Sequence, residues 1–228
     1  LYIYRDICNV YVVRDGSRAI LIDFGSGAVL DSLREIGVTK VEWILHTHHH
    51  RDQCQGDRIA NERGIPIAVP AHERPYFEEV EVFWSSRQIY DMYNVRQSFY
   101  SLAQSVQVAR SLLDYTTFEW GPYRLFVQPA PGHTMGSICL MGVIDGRSVA
   151  FCGDLITAPG KLHTLYDLQY VYGSPDGMDN TVYSLDKVAR RGADLACPSH
   201  GDPFSDLGAA ARELEARIRS YMRHRWGV

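Results

Sequence analysis

What the sequence lacks narrows its class first. No apolar run approaches the ~20 residues that a membrane-crossing helix needs, so no association with a membrane is expected. There is no Cys-x-x-Cys pair, and the five cysteines (Cys8, Cys54, Cys139, Cys152, Cys197) are odd in number and far apart. That usage reads as free thiols in a reducing compartment, the cytoplasm, and not as a disulfide framework. A basic excess is missing as well, with 23 Lys and Arg against 27 Asp and Glu and a net charge of −4. Without a basic footprint a dedicated nucleic-acid binder is not expected. Internal repeats and low-complexity linkers are absent. No basic leader and no initiator Met stand at the start of the chain, which reads as a processed chain or part of a longer one.

What is present is ordinary globular chemistry: 228 residues, 46% hydrophobic and 22% charged. Such a length suits one large core, so residues 1–228 are expected to form a single domain. Residues 7–14 and 18–24 are rich in β-branched side chains and flank Asp15-Gly16-Ser17, a hairpin signal. Val29, Leu30, Leu33 and Ile36 recur at helical spacing, and Gly37 supplies a stop. A short apolar strand over 41–45 runs into a histidine-rich loop, followed by a helix over 56–63 and a strand over 65–69. Strands are expected again at 123–128, 137–144 and 148–152, the last two joined by the hairpin dipeptide Asp145-Gly146. A helix near 179–190, a strand over 194–197 and a helix from about 207 to 224 complete an α/β pattern with helices covering sheet faces. Residues 71–115 differ. They carry aromatics such as Tyr76, Phe77, Trp84 and Tyr93 without β alternation, and read as an inserted helical layer through which a homo-oligomer would form.

The chemistry-bearing residues sit at strand ends. Four of the nine histidines fall within His46-Thr47-His48-His49-His50, directly after an apolar strand. The C-terminal ends of strands are where α/β sheets place ligand sites. In an extended loop His48 and His50 point the same way, Asp52 continues that parity, and His49 and His46 are weaker candidates. Imidazoles with a carboxylate suit zinc, iron or manganese. Three further elements follow later strands: Pro131-Gly132-His133-Thr134, Gly153-Asp154 and Pro198-Ser199-His200-Gly201. Each alone reads as a turn residue; together they point to one metal centre.

In this order, and with Leu21-Ile22-Asp23-Phe24-Gly25-Ser26-Gly27 before them, the motifs resemble the metallo-β-lactamase superfamily, and within it the glyoxalase II-like branch of hydrolases. The resemblance covers roughly residues 8–200 and implies an αββα sandwich. It implies a first metal site of His48, His50 and His133, bridged by Asp154, and a second of Asp52, Asp154 and His200. The family's remaining second-site histidine is replaced here by Gln53, whose neutral amide is a weaker ligand. The adjacent Cys54 would be a thiolate substitute. Asp23 would hold the metal loops by hydrogen bonds without ligating, although the residue alone reads equally as a turn or capping aspartate.

The implied cofactor is one or two divalent ions, zinc first, with iron or manganese as alternatives. The implied activity is attack by a metal-bound hydroxide on an ester-like bond (thioester, lactone, amide or phosphodiester) of a small-molecule substrate, with Asp52 moving the proton. An aspartate rather than a cysteine at position 154 turns away from one group of true β-lactamases. Lys161 or His163 would meet an anionic substrate group, and Tyr166 and Tyr170 would line an apolar pocket. Two other readings stay open: a mononuclear iron oxidoreductase of the persulfide-dioxygenase type, and a non-catalytic binding module.

Overall fold

A computed structural model describes residues 1–85, 101–162 and 176–227. Its strands form two sheets. The first runs β1 (Tyr2–Arg5), β2 (Asn9–Asp15), β3 (Arg18–Ile22), β4 (Lys40–Leu45), β5 (Ile67–Pro70) and β6 (Arg110–Leu112), in that spatial order. β1, β2 and β3 pair antiparallel, and β3 to β6 pair parallel. The second contains β7 (Thr117–Trp120), β8 (Tyr123–Pro129), β9 (Ile138–Ile144), β10 (Arg147–Gly153) and β11 (Leu195–Pro198). It is antiparallel except for the parallel β10–β11 pair.

Alternation along the strands sorts side chains into layers, because successive residues face opposite sides of a sheet. Ile20, Ile22, Val13 and Leu45 face the second sheet and meet Phe118, Leu125, Val127, Leu140 and Phe151 between the two. Their neighbours Ala19, Leu21, Val12 and Ile44 face outward, onto Val29, Leu33, Ala60 and Phe77. On the far side Cys139, Met141, Ala150 and Ala196 pack against Met178, Val182, Leu185, Leu214 and Ile218. The helices of that outer layer are the long C-terminal ones, Asp176–Arg190 and Leu207–Trp226. The result is helix, sheet, sheet, helix, as the motif order implied.

The short helices lie on the outer face of the first sheet. They are α1 (Val29–Ser32), α2 (Arg51–Cys54), α3 (Asp57–Glu62), α4 (Pro75–Glu78) and α5 (Val80–Ser85); the C-terminal pair are α6 (Asp176–Arg190) and α7 (Leu207–Trp226). Among the described residues no helix is long and apolar enough to cross a membrane. All five cysteines are unpaired and buried.

Two sequence expectations need correction. The 71–115 segment is not wholly helical: Pro75–Glu78 and Val80–Ser85 are helices, but residues 110–112 return as β6, paired with β5 at Ala68↔Arg110. Three residues are too short for a period-two signal, so the strand was invisible. Trp84 packs onto the outer core and donates from Nε1 to the Leu102 carbonyl at 2.7 Å. Residues 86–100, with Tyr93, lie outside the described residues. The second correction is α2: Arg51–Cys54 are helical, with His50 extended at the N-terminus, so strand parity ends at His50.

Candidate metal centre

The loops that carry the predicted residues leave the C-terminal ends of β3, β4, β8, β10 and β11 at one edge of the sandwich. Backbone bonds lash them together. Asp23 N donates to the Leu45 carbonyl at 2.9 Å, Ser199 N to the Gly153 carbonyl at 2.8 Å, and Ile138 N to the Thr47 carbonyl at 3.0 Å. The last of these crosses from one sheet to the other. Gly153 turns the chain with φ +56, and a Cβ there would stand 3.0 Å from Thr47 Oγ1. The glycine thus lets the turn that delivers Asp154 lie against the histidine loop.

Two clusters result. His48, His50, His133 and Asp154 offer ligand atoms all within 4.8 Å of one another, as do Asp52, Asp154 and His200. His133 Nε2 lies 2.8 Å from His50 Nδ1 and 3.2 Å from Asp154 Oδ2. His48 Nε2 is 3.6 Å from the same Asp154 oxygen, and His200 Nε2 is 3.7 Å from it. His200 Nε2 also meets Asp52 Oδ2 at 2.8 Å. The helical turn of α2 therefore brings Asp52 to the cluster by a route different from the parity argument.

Burial sets the protonation of these groups. Desolvation, reinforced by His133, pushes His48 down to about 4, and the same two causes hold His50 well below the usual imidazole range. Neutral imidazoles present lone pairs. Burial alone would raise the Asp154 carboxyl, but His133, His48 and His200 outweigh it and keep the group ionised well below the carboxylate range. Buried His48 Nε2 and Asp154 Oδ1 have no hydrogen-bond partner, a costly state for polar atoms away from water. A cation among them satisfies both, so the residues present fit a bound divalent ion.

Around the clusters the support is dense. Asp23, in the left-handed region at φ +57, accepts from Thr47 N and Thr47 Oγ1, each at 2.9 Å, and from Ser199 Oγ at 3.3 Å. Thr47 Oγ1 in turn stands 3.0 Å from His48 Nδ1. With its hydroxyl proton given to Asp23, Thr47 accepts from His48 Nδ1–H, which leaves Nε2 as the lone pair facing the cluster.

His46 belongs to neither cluster. It lies between Asp57, 3.0 Å from its Nε2, and Asp23, 3.5 Å from its Nδ1. Burial favours its neutral form, yet the two carboxylates raise it to about 9. His49 likewise turns away, its Nδ1 2.9 Å from Glu73 Oε2. Cys54 is packed and belongs to neither cluster: its Sγ donates to the His50 carbonyl at 2.9 Å, and burial raises the thiol well above its usual range. Gln53 is buried, with Nε2 2.9 Å from Asp52 Oδ2, so its amide borders the second cluster. Lys161 is exposed on a turn whose Gly160 lies against Glu213 and Arg217 of α7. His163, Tyr166 and Tyr170 fall outside the described residues. Sequence reasoning missed Asp57 and Glu73, both wholly buried charged side chains. Neither stands in a motif, and only the tertiary packing reveals them.

Residues 3–200 match the family model described as the metallo-beta-lactamase superfamily. The chain belongs to the metallo-β-lactamase superfamily. Among solved structures of this fold, the subclass B3 metallo-β-lactamase BJP-1 of Bradyrhizobium japonicum aligns with a TM-score of 0.70 at 20% identity, over 96% of this chain and 89% of that one. The metallo-β-lactamase MIM-1 from Novosphingobium pentaromativorans aligns at 0.69 and 22% identity, over 96% and 84%. At such identities the likeness concerns the fold. A curated relative, the beta-lactamase hydrolase-like protein of Xylella fastidiosa (strain 9a5c), is 31% identical over 112 residues, 49% of this chain. The match spans only 23% of that relative's length. Members of the superfamily are usually hydrolases, and the histidine and aspartate cluster stands where a metal ion would be held.

Proposed function

We propose that this chain is a divalent-metal-dependent hydrolase of the glyoxalase II-like branch, cleaving an ester-like bond (thioester, lactone, amide or phosphodiester) in a small substrate. One observation carries the reading: a single carboxylate, Asp154, belongs to both ligand clusters. A carboxylate shared by two ligand sets can hold two ions close together, the arrangement that a two-ion hydrolytic centre uses. His48, His50, His133 and Asp154 would hold the first ion, and Asp52, Asp154 and His200 the second, with the Gln53 amide at its border. Zinc suits the imidazole-rich first set, with iron and manganese as alternatives. When bound, such ions supply Lewis acidity toward the scissile group and lower the pKa of water.

The chain's own residues do the rest. Asp52, with 30% of its side chain exposed, is the carboxylate open to incoming water and the group that would move a proton. Gln53, donating from Nε2 to Asp52 Oδ2 at 2.9 Å, orients that carboxylate. Unpaired cysteines fit a cytoplasmic setting.

The test is a screen of thioester, lactone, β-lactam and phosphodiester chromogens with Zn, Mn and Fe added separately, beside elemental analysis of untagged protein. Hydrolysis of at least one ester-like chromogen, lost by about 100-fold or more in His48→Ala and Asp154→Asn, is the expected result. One iron per chain with oxygen uptake and no hydrolysis would overturn the proposal in favour of an oxidoreductase. Turnover in His48→Ala equal to wild type would remove the metal from the chemistry altogether.

A further inference from the structure

Glu73 lies in the short 3₁₀ turn Ala71–Glu73 that follows β5, and its side chain is completely buried. A carboxylate in such a place is costly unless its oxygens are well occupied. They are. Oε2 meets His49 Nδ1 at 2.9 Å, and Oε1 accepts from Thr134 Oγ1 and, at 3.1 Å, from Gly136 N. One side of the carboxylate therefore holds the residue between His48 and His50, and the other holds the two residues flanking Met135, immediately after His133. Gly136 makes this approach feasible, because a Cβ there would stand 2.4 Å from Glu73 Cγ. On its other face the His49 ring lies on Tyr76, with centroids 4.4 Å apart.

We propose that Glu73 is a positioning residue that bridges the histidine loop of the first sheet and the His133 turn of the second, and so sets the spacing of His48, His50 and His133. The inference rests on the reading of those three histidines as metal ligands. Its physical basis is that a coordinated ion tolerates donor displacements of only about 0.2 Å, whereas two loops from different sheets have no covalent reason to keep such a register. A charged, doubly anchored carboxylate supplies it through charge-assisted bonds, shorter and stronger than neutral ones. Glu73 needs no contact with substrate to act this way.

Three variants of the full chain test the proposal: Glu73→Gln, which keeps the volume and loses the charge, His49→Asn and Thr134→Ala, which cut the bridge from its two ends. The readouts are zinc affinity by competition with a chromophoric chelator and the visible spectrum of the Co(II) form. The expected result is an affinity reduced about 10–100-fold in Glu73→Gln, with the metal stoichiometry kept, an altered Co(II) spectrum and the same direction of change in the two partner variants. A Glu73→Gln protein with lower melting temperature but affinity within twofold of wild type and an unchanged Co(II) spectrum would show a merely structural carboxylate and overturn the proposal. Where Glu73→Gln fails to fold, His49→Asn and Thr134→Ala decide by the same criteria. His48→Ala is run alongside. Undiminished metal binding there overturns the ligand reading itself, whereas binding lost there and intact in the bridge variants overturns only the role of Glu73.

Discussion

Replacing Gly132 by alanine probes how tightly the fold fixes the turn that carries His133. A Cβ at Gly132 would lie 2.3 Å from Thr181 Oγ1, 2.8 Å from Thr181 Cα and 3.0 Å from its nitrogen, with φ at +153. Two of those three atoms are backbone of α6, so a rotamer change relieves only one clash. The helix is itself tied to the turn, since Ser184 Oγ donates to the Pro131 carbonyl at 2.6 Å. Ordinary contact starts near 3.4 Å and the nearest backbone atom would stand at 2.8 Å, so the turn and helix must part by about 0.6 Å. Overpacking of this kind costs ~1–3 kcal/mol and the backbone conformation ~1 kcal/mol more. A total near 3 kcal/mol corresponds to a fall of ~6–12 °C in melting temperature for a chain of this size.

The same displacement moves His133 relative to His50, whose nitrogens are 2.8 Å apart, by several times the tolerance of a coordination sphere. Metal affinity should drop at least ~10-fold in consequence. Gly192→Ala is the control: φ there is +69, but nothing lies within 4 Å of the added methyl. It should lose ~1–2 kcal/mol from backbone strain alone and leave metal binding untouched. Circular-dichroism melts of the metal-free proteins and chelator competition of the loaded ones read both effects. A Gly132→Ala protein that melts within about 2 °C of Gly192→Ala and binds zinc like wild type would refute the argument.

Two further outcomes follow from single side chains. Gln53→His should strengthen binding of a second ion, because imidazole replaces a neutral amide bordering Asp52; unchanged two-site titration calorimetry would separate Gln53 from the metal. Glu73 governs an acid limb. Burial works to raise its carboxyl, but the His49 charge and the bonds from His49 and Thr134 prevail and lower it from 4.5 to about 2. A depressed carboxyl stabilises the fold fully above its unfolded value and loses that contribution as pH falls toward the folded one, so the stability gap between wild type and Glu73→Gln should narrow by ~3 kcal/mol between pH 5 and 2. Urea unfolding at stepped pH with a constant gap would contradict it.

The layered fold was legible because its strands are long enough to alternate and its hairpins carry their own turn chemistry. Asp145 and Gly146, both at positive φ, join β9 to β10 as the dipeptide required. β6 and β7 escaped notice for the opposite reason, being short runs whose assignment depends on a neighbouring strand. At the site, spacing announced His48 and His50, and position after a strand announced His133, Asp154 and His200. Asp52 came to the cluster although α2 breaks the parity invoked for it. The partners of His46 and His49 were beyond the reach of sequence, since Asp57 and Glu73 lie 11 and 24 residues away and acquire meaning only when buried.

The division of the site between the sheets explains why so much support surrounds it. Loops after the first sheet's strands supply His48, His50 and Asp52; loops after the second supply His133, Asp154 and His200. Neither half contains the first cluster. The sheets meet mainly through apolar side chains, which set separation but not register at the ångström level. Directional bonds at the rim must do that, and they run across the seam: Ile138 N to the Thr47 carbonyl, Ser199 Oγ to Asp23, and Glu73 to Thr134 and Gly136. Asp23 holds a strained backbone in exchange for contacts with both loops. An ion gripped from both sides would add its own binding energy to the packing of the sheets, so metal loading and stability should rise and fall together.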